Sequence, residues 1–131
     1  FSAPMPGGGR YSRQRGEGFG VPTIIAVVDS KVDATARVVA DLREAVGALP
    51  GATDLVIAFT DNDRDAIEEI AGSAAPGETL LMSARELAAN CGVADTPSVI
   101  FCRADGTVAD IHVGRNNDLR DIVIQKAAMA R

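Results

Sequence analysis

The run Thr23-Ile24-Ile25-Ala26-Val27-Val28-Asp29 is apolar without alternation. That is the pattern of a central strand covered on both faces, and it limits the chain to folds in which other layers flank a sheet. Directly after it, Val32, Ala36, Val39, Leu42, Val46 and Leu49 recur at three- and four-residue steps. The spacing predicts a helix with one apolar stripe against the sheet, ended by Pro50-Gly51. A second strand is expected over Leu55–Thr60, then a shorter helix with Ala66, Ile67, Ile70 and Ala71 on one face, closed by Gly72 and a loop around Pro76-Gly77. This βαβ rhythm implies parallel strands.

A short strand over Thr79–Met82 precedes Ser83-Ala84-Arg85-Glu86, the signature of a capping box, which opens a helix carrying Leu87, Ala88 and Cys91. Ser98–Arg103 and Thr107–Val113, joined at Ala104-Asp105-Gly106, read as an antiparallel hairpin. Asn117 is expected to cap a last helix bearing Leu119, Ile122, Val123 and Ala127. The order is β-α-β-α-β-α-β-β-α over residues 21–131, an α/β domain without internal repeats. At 131 residues and 47% hydrophobic content, the chain suits one globular core. Residues 1–20, with six glycines, two prolines and Arg10, Arg13 and Arg15, read as a flexible arm or linker.

Charge and cysteine content remove several function classes. With 13 Lys plus Arg against 18 Asp plus Glu, the net charge of -5 gives no attraction toward phosphate backbones, so nucleic acid is not an expected partner. No apolar run approaches the roughly 18–20 residues that span a bilayer, so direct membrane insertion by these residues is not expected. The start at Phe1 rather than Met suggests that a signal peptide, a membrane anchor or another domain precedes these residues. Cys91 and Cys102 allow at most one disulfide and no structural zinc site. His112 is the only histidine and is expected at an edge or surface, which rules out a site built on several imidazoles. Asp61, Asp63 and Asp65 begin like a calcium loop but lack its glycine and bidentate glutamate, and read as a solvated helix start. Gly7-Gly8-Gly9 lacks the Lys-Ser or Lys-Thr of a phosphate loop. No metal and no cofactor is implied.

The segment Cys91-Gly92-Val93-Ala94-Asp95-Thr96-Pro97-Ser98-Val99-Ile100-Phe101, with Ala104-Asp105-Gly106-Thr107-Val108 and Gly114, resembles the C-terminal half of thioredoxin-like proteins. It is most similar to the TlpA/ResA branch of redoxins, with its MauD-like accessory proteins. The strand and helix at 79–91 resemble the insertion of that branch, and the resemblance covers roughly residues 21–127. It implies a thioredoxin-like fold, a central mixed sheet flanked by helices. It also implies that Pro97 is a cis proline facing the site, with Thr96 beside it, holding an extended chain by strand-like pairing. An extracytoplasmic or membrane-anchored setting, through a segment outside these residues, would suit such a protein.

Thiol–disulfide exchange needs a low-pKa cysteine at the first helix N-terminus and a resolving cysteine three positions on. The family pattern puts those positions at Val32 and Thr35, and residues 21–60 contain no cysteine. The expected function is therefore a redox-inactive binding or assembly module, a non-catalytic subunit of a larger, membrane-associated complex. Its partner is another protein, held by the Thr96-Pro97 groove or by the arm. Cys91 and Cys102 read first as inert core thiols and second as a structural or regulatory pair. The alternative function is an atypical thiol oxidoreductase or TlpA/MauD-like accessory protein using Cys91 or Cys102, or chemistry in the groove around Lys31, Asp33 and Thr35. A flavodoxin-like or receiver-like domain shares the βα alternation but does not predict the Asp105-Gly106 hairpin before the last helix.

Overall fold

The computed structural model describes residues 2–12, 18–114 and 118–130. Asn117, expected as a helix cap, lies outside them, as do Arg13 and Arg15. Along the chain run β1 (Ser2–Pro4), β2 (Arg10–Ser12), β3 (Thr23–Val28), α1 (Thr35–Ala48), β4 (Asp54–Phe59), α2 (Arg64–Ala71), β5 (Glu78–Leu81), α3 (Arg85–Asn90), β6 (Ser98–Cys102), β7 (Val108–Val113) and α4 (Leu119–Met129).

The apolar run at 23–28 is the middle of a five-stranded mixed sheet of order β5-β4-β3-β6-β7. β3, β4 and β5 are parallel, in the register Ile24↔Leu55 and Val56↔Thr79. β6 and β7 are antiparallel additions, and Val27 pairs with Ser98. Every residue of β3 is buried, as an element covered on both faces requires. Ile24, Ala26 and Val28 point into a core with Leu42 of α1, Ile67 of α2 and Val123 of α4. Ile25 and Val27 point into a second core with Leu87 and Ala88 of α3 and with Cys102. The helices after the neighbouring parallel strands β4 and β5 thus leave for opposite faces of the sheet.

Three expectations need correction. Residues 2–12 are not a solvated arm: β1 and β2 pair with Ala3 opposite Tyr11. Ala3 is 1% exposed within the second core, and the Met82 amide donates to the Pro4 carbonyl at 2.9 Å. With α3 too short to roof that face alone, this hairpin closes it. The chain then docks on the β6–β7 turn, where Phe19 and Gly20 amides donate to the Ala104 carbonyl at 2.8 and 3.0 Å. A Cβ on Gly18 would lie 2.9 Å from that oxygen, so glycine is required there.

The second correction concerns Ser83-Ala84-Arg85-Glu86, which forms no capping box. Ala84 occupies the cap position without a side-chain bond, while Ser83 sits at φ 53 with its amide donated to the Asp61 carbonyl at 2.8 Å. Tertiary bonding has claimed the residue that local spacing assigned to the helix. The third is the buried face of α1, which consists of Thr35, Val38, Val39, Leu42 and Ala45; Ala36 is exposed and Val32 precedes the helix. The helix starts at Thr35 rather than Val32, and its stripe runs from Thr35 through Val38 and Leu42 to Ala45.

Candidate functional site

At the C-terminal end of β3 the chain must leave the sheet and turn into α1, and residues 29–34 make that turn from their own polar groups. The Val32 amide donates to the Asp29 carbonyl at 3.1 Å and the Thr35 amide to the Val32 carbonyl at 3.0 Å. Lys31 donates its amide to Asp29 Oδ1 at 2.9 Å. Thr35 is 1% exposed, and its hydroxyl donates inward to the Asp29 carbonyl at 2.6 Å. Val32 is half-buried. A hydroxyl that is buried and hydrogen-bonded is structurally satisfied, and a valine carries no nucleophile.

A second loop braces the first. Asp61, at the end of β4, accepts from the Ser30 amide at 3.1 Å and from the Ser30 hydroxyl in a short bond. Burial works against ionisation of Asp61, but the Ser30 bonds and the surrounding backbone amides outweigh it and hold the carboxyl below its ordinary range. Lys31 pairs with Asp63 at 3.1 Å, and Asp63 also caps α2 through the Ala66 amide at 3.2 Å. The bond to Lys31 is the main cause that lowers the Asp63 carboxyl. Of the aspartates read as a solvated helix start, Asp61 and Asp63 are therefore braces of the β3–α1 loop. No local spacing reveals a Ser30–Asp61 pair separated by 31 residues.

The β3–β6 register brings Thr96 and Pro97 to the same end of the sheet. Val27 pairs with Ser98, so the residue before Ser98 falls beside the last residue of β3. The Thr96–Pro97 peptide bond is cis, Pro97 is buried, and Thr96 is half-buried. The Ser98 hydroxyl donates to the Asp95 carbonyl at 2.7 Å and the Gly114 amide to the Pro97 carbonyl at 2.8 Å, which ties both flanks of the loop down. The candidate positions Val32, Thr35, Thr96 and Pro97 thus collect at one edge of the domain.

The thiols lie elsewhere. Cys91 is half-buried at the C-terminus of α3, and Cys102 is 3% exposed at the far end of β6, opposite Thr23; both are free and belong to the second core. Burial pushes the Cys102 thiol up to about 12, with the nearby Cys91 adding to it, and burial also raises Cys91. His112 is half-buried on the edge strand β7. Among the described residues no cluster of His, Cys, Asp or Glu is arranged to hold a metal, and no helix is long and apolar enough to cross a membrane.

A central mixed sheet with helices on both faces and a cis proline beside the β3–α1 turn defines a thioredoxin-like α/β protein. Among the solved structures it resembles are thiol–disulfide oxidoreductases, including DsbE-related ones. A secreted Mycobacterium tuberculosis disulfide oxidoreductase homologous to E. coli DsbE is 20% identical, with a TM-score of 0.75 over 98% of this chain and 94% of that one. A putative thiol:disulfide interchange protein DsbE from Chlorobium tepidum is 17% identical, with a TM-score of 0.78 over 99% and 92%. The MTB protein DsbF, in mixed oxidized and reduced forms, is 17% identical, with a TM-score of 0.77 over 100% and 95%. No family model and no curated protein matches the sequence. At these identities the likeness establishes the fold.

Proposed function

We propose that this domain is a redox-inactive member of the thioredoxin fold that acts as a protein-binding or assembly module, a non-catalytic subunit of a larger complex. One observation carries the reading. Where the fold places its exchange cysteines, at the turn into α1, this chain has Val32 and a buried Thr35 whose hydroxyl bonds the Asp29 carbonyl. The Ser30–Asp61 brace fixes that turn as a structural joint. The edge formed by Thr96 and Pro97 is then left as a surface for an extended partner segment, bound through backbone pairing.

Crosslinking of the native protein followed by mass spectrometry tests this. Crosslinks from the Thr96-Pro97 edge or the N-terminal hairpin to another protein are expected, and their loss on Thr96→Arg would map the surface. A protein that stays monomeric and captures no partner would refute the reading.

A second reading is a thiol oxidoreductase that uses Cys91 or Cys102. It is favoured by the oxidoreductase character of the similar structures and by the presence of two free thiols in one core. Raised thiol pKa values oppose it, since the thiolate is the nucleophile. Insulin reduction that disappears in a Cys91→Ser, Cys102→Ser double variant would decide for it. No activity in the native protein would decide against it.

A further inference from the structure

The sheet ends in two edge strands, β7 and β5, and the chain treats them differently. At β7 the Ile111 amide is taken by Asp110 Oδ1 at 2.8 Å, Lys126 of α4 holds that carboxylate, and the ladder to β6 is broken by a register shift at Phe101/Cys102. Charged groups and irregularities of this kind blunt an edge against further pairing. At β5 the backbone is arranged otherwise. The Leu55 amide donates to the Gly77 carbonyl at 2.9 Å, and in a parallel ladder alternate residues face the neighbouring strand. Thr79 and Leu81 therefore bond β4, while Glu78, Leu80 and Met82 turn their amides and carbonyls away from the sheet.

Two of those outward amides are occupied: Glu78 donates to the Ala75 carbonyl and Met82 to the Pro4 carbonyl, each at 2.9 Å. Between them, neither the amide nor the carbonyl of Leu80 has a partner among the described residues. The Leu80 side chain is packed in the first core, so its backbone is what it offers outward. It lines a cleft of about 660 Å³, with Glu78 and Thr79, the turn at residues 5–8, and the end of α2 with residues 72–74. The turn is set by its own bonds, Gly8 amide to Met5 carbonyl and Met5 amide to Gly9 carbonyl, both 3.0 Å. The Pro4–Met82 bond is already one backbone contact to this edge, and an extended chain in the cleft would continue it along Leu80. Of the two carboxylates in the lining, Glu78 is spent on Arg43 and on the Ala75 amide. Glu68 makes no ion pair or side-chain hydrogen bond among the described residues. The unmatched charge of the cleft is therefore negative, the sign of the chain as a whole.

We propose that the β5 edge takes an extended, basic segment of a partner protein as a sixth strand, its backbone paired with the Leu80 amide and carbonyl and a lysine or arginine on Glu68. The cleft admits a short extended segment and excludes a folded one. This surface belongs to the opposite end of the strand order from β6 and β7, so it is separate from the Thr96-Pro97 edge and does not rest on the reading of that edge.

The experiment is titration of the intact 15N-labelled protein with the peptide acetyl-Thr-Val-Lys-Val-Thr-amide at millimolar concentrations. The control is the same peptide with every internal amide N-methylated, which keeps the side chains and the charge but removes the backbone donors. Saturable shifts that include the Leu80 amide are expected with the first peptide and not with the second. Binding should weaken about threefold to tenfold in Glu68→Lys, a change at an exposed helix position that leaves the core untouched. No saturable shift at Leu80, equal binding of the N-methylated peptide, or wild-type affinity in Glu68→Lys would each overturn the proposal.

Discussion

Replacing Asp61 with alanine cuts the side-chain brace between the β4–α2 loop and Ser30. Two bonds to an ionised oxygen are lost, one from the Ser30 amide at 3.1 Å and one from its hydroxyl. Charge-assisted bonds contribute about 1.5–3 kcal/mol when enclosed, and the half-exposed position of Asp61 puts these at the low end, about 2–3 kcal/mol for the pair. For a domain of this size that is a fall of about 6–12 °C in Tm. Ser30→Ala removes only the hydroxyl bond and should cost about 1–1.5 kcal/mol, with a coupling of about 1 kcal/mol in the double-mutant cycle. The folded-state pKa of Asp61 is depressed, so the brace contributes fully above the unfolded carboxylate value and is lost as pH falls through the folded one. Urea unfolding followed by circular dichroism should therefore show the Asp61→Ala penalty at pH 7 and a shrinking difference below about pH 4. A Tm change under about 2 °C at neutral pH, or a coupling near zero, would refute the claim that this pair holds the turn into α1.

Other expectations are as direct. In the native protein Cys102 should react with iodoacetamide at neutral pH far more slowly than in the denatured protein, as read by intact mass; rapid native alkylation would contradict its burial and its thiol near 12. Ala3→Asp buries an uncompensated carboxylate under the sheet and should release the hairpin, exposing residues 5–12 to limited proteolysis; unchanged protection would show that the hairpin is not docked through Ala3. Arg43 forks onto both oxygens of Glu78 at 3.2 and 3.1 Å and reaches the Ala71 carbonyl at 2.7 Å, so Arg43→Lys should lower stability by about 1–2 kcal/mol in urea titration, and no change would mean that the fork adds nothing. Val32→Cys combined with Thr35→Cys should close a disulfide under mild oxidation, detected by alkylation and mass; two persistently free thiols would argue against the correspondence between this turn and the exchange site of the fold.

Much of the sheet was legible because its signals are local. An unbroken apolar run marks β3, and the Asp105-Gly106 turn marks the β6–β7 hairpin, where Gly106 takes φ 91. What stayed hidden was set over long sequence separations. Ala3 and Met5 gave no periodic signal among glycines and prolines, since the hairpin they belong to is stabilised by a sheet face encoded downstream. Ser83 looked like a helix cap until Asp61, 22 positions earlier in sequence, took its amide. The Thr96-Pro97 edge came from resemblance, but the Ser30–Asp61 brace follows only from the parallel pairing of β3 with β4, which sets the two following loops side by side.

The placement of Cys102 in the packed layer that also holds Ala3 gives the protein an internal timer. Ala3, Cys91 and Cys102 share one packed layer, so reagent can reach Cys102 only when that layer opens. The rate of Cys102 labelling at saturating reagent is then the opening frequency of that layer, a local event separate from global unfolding. Any partner that tightens that layer must slow that clock, and any that loosens it must quicken it, which makes a single buried sulfur a reporter for binding at a surface it never touches.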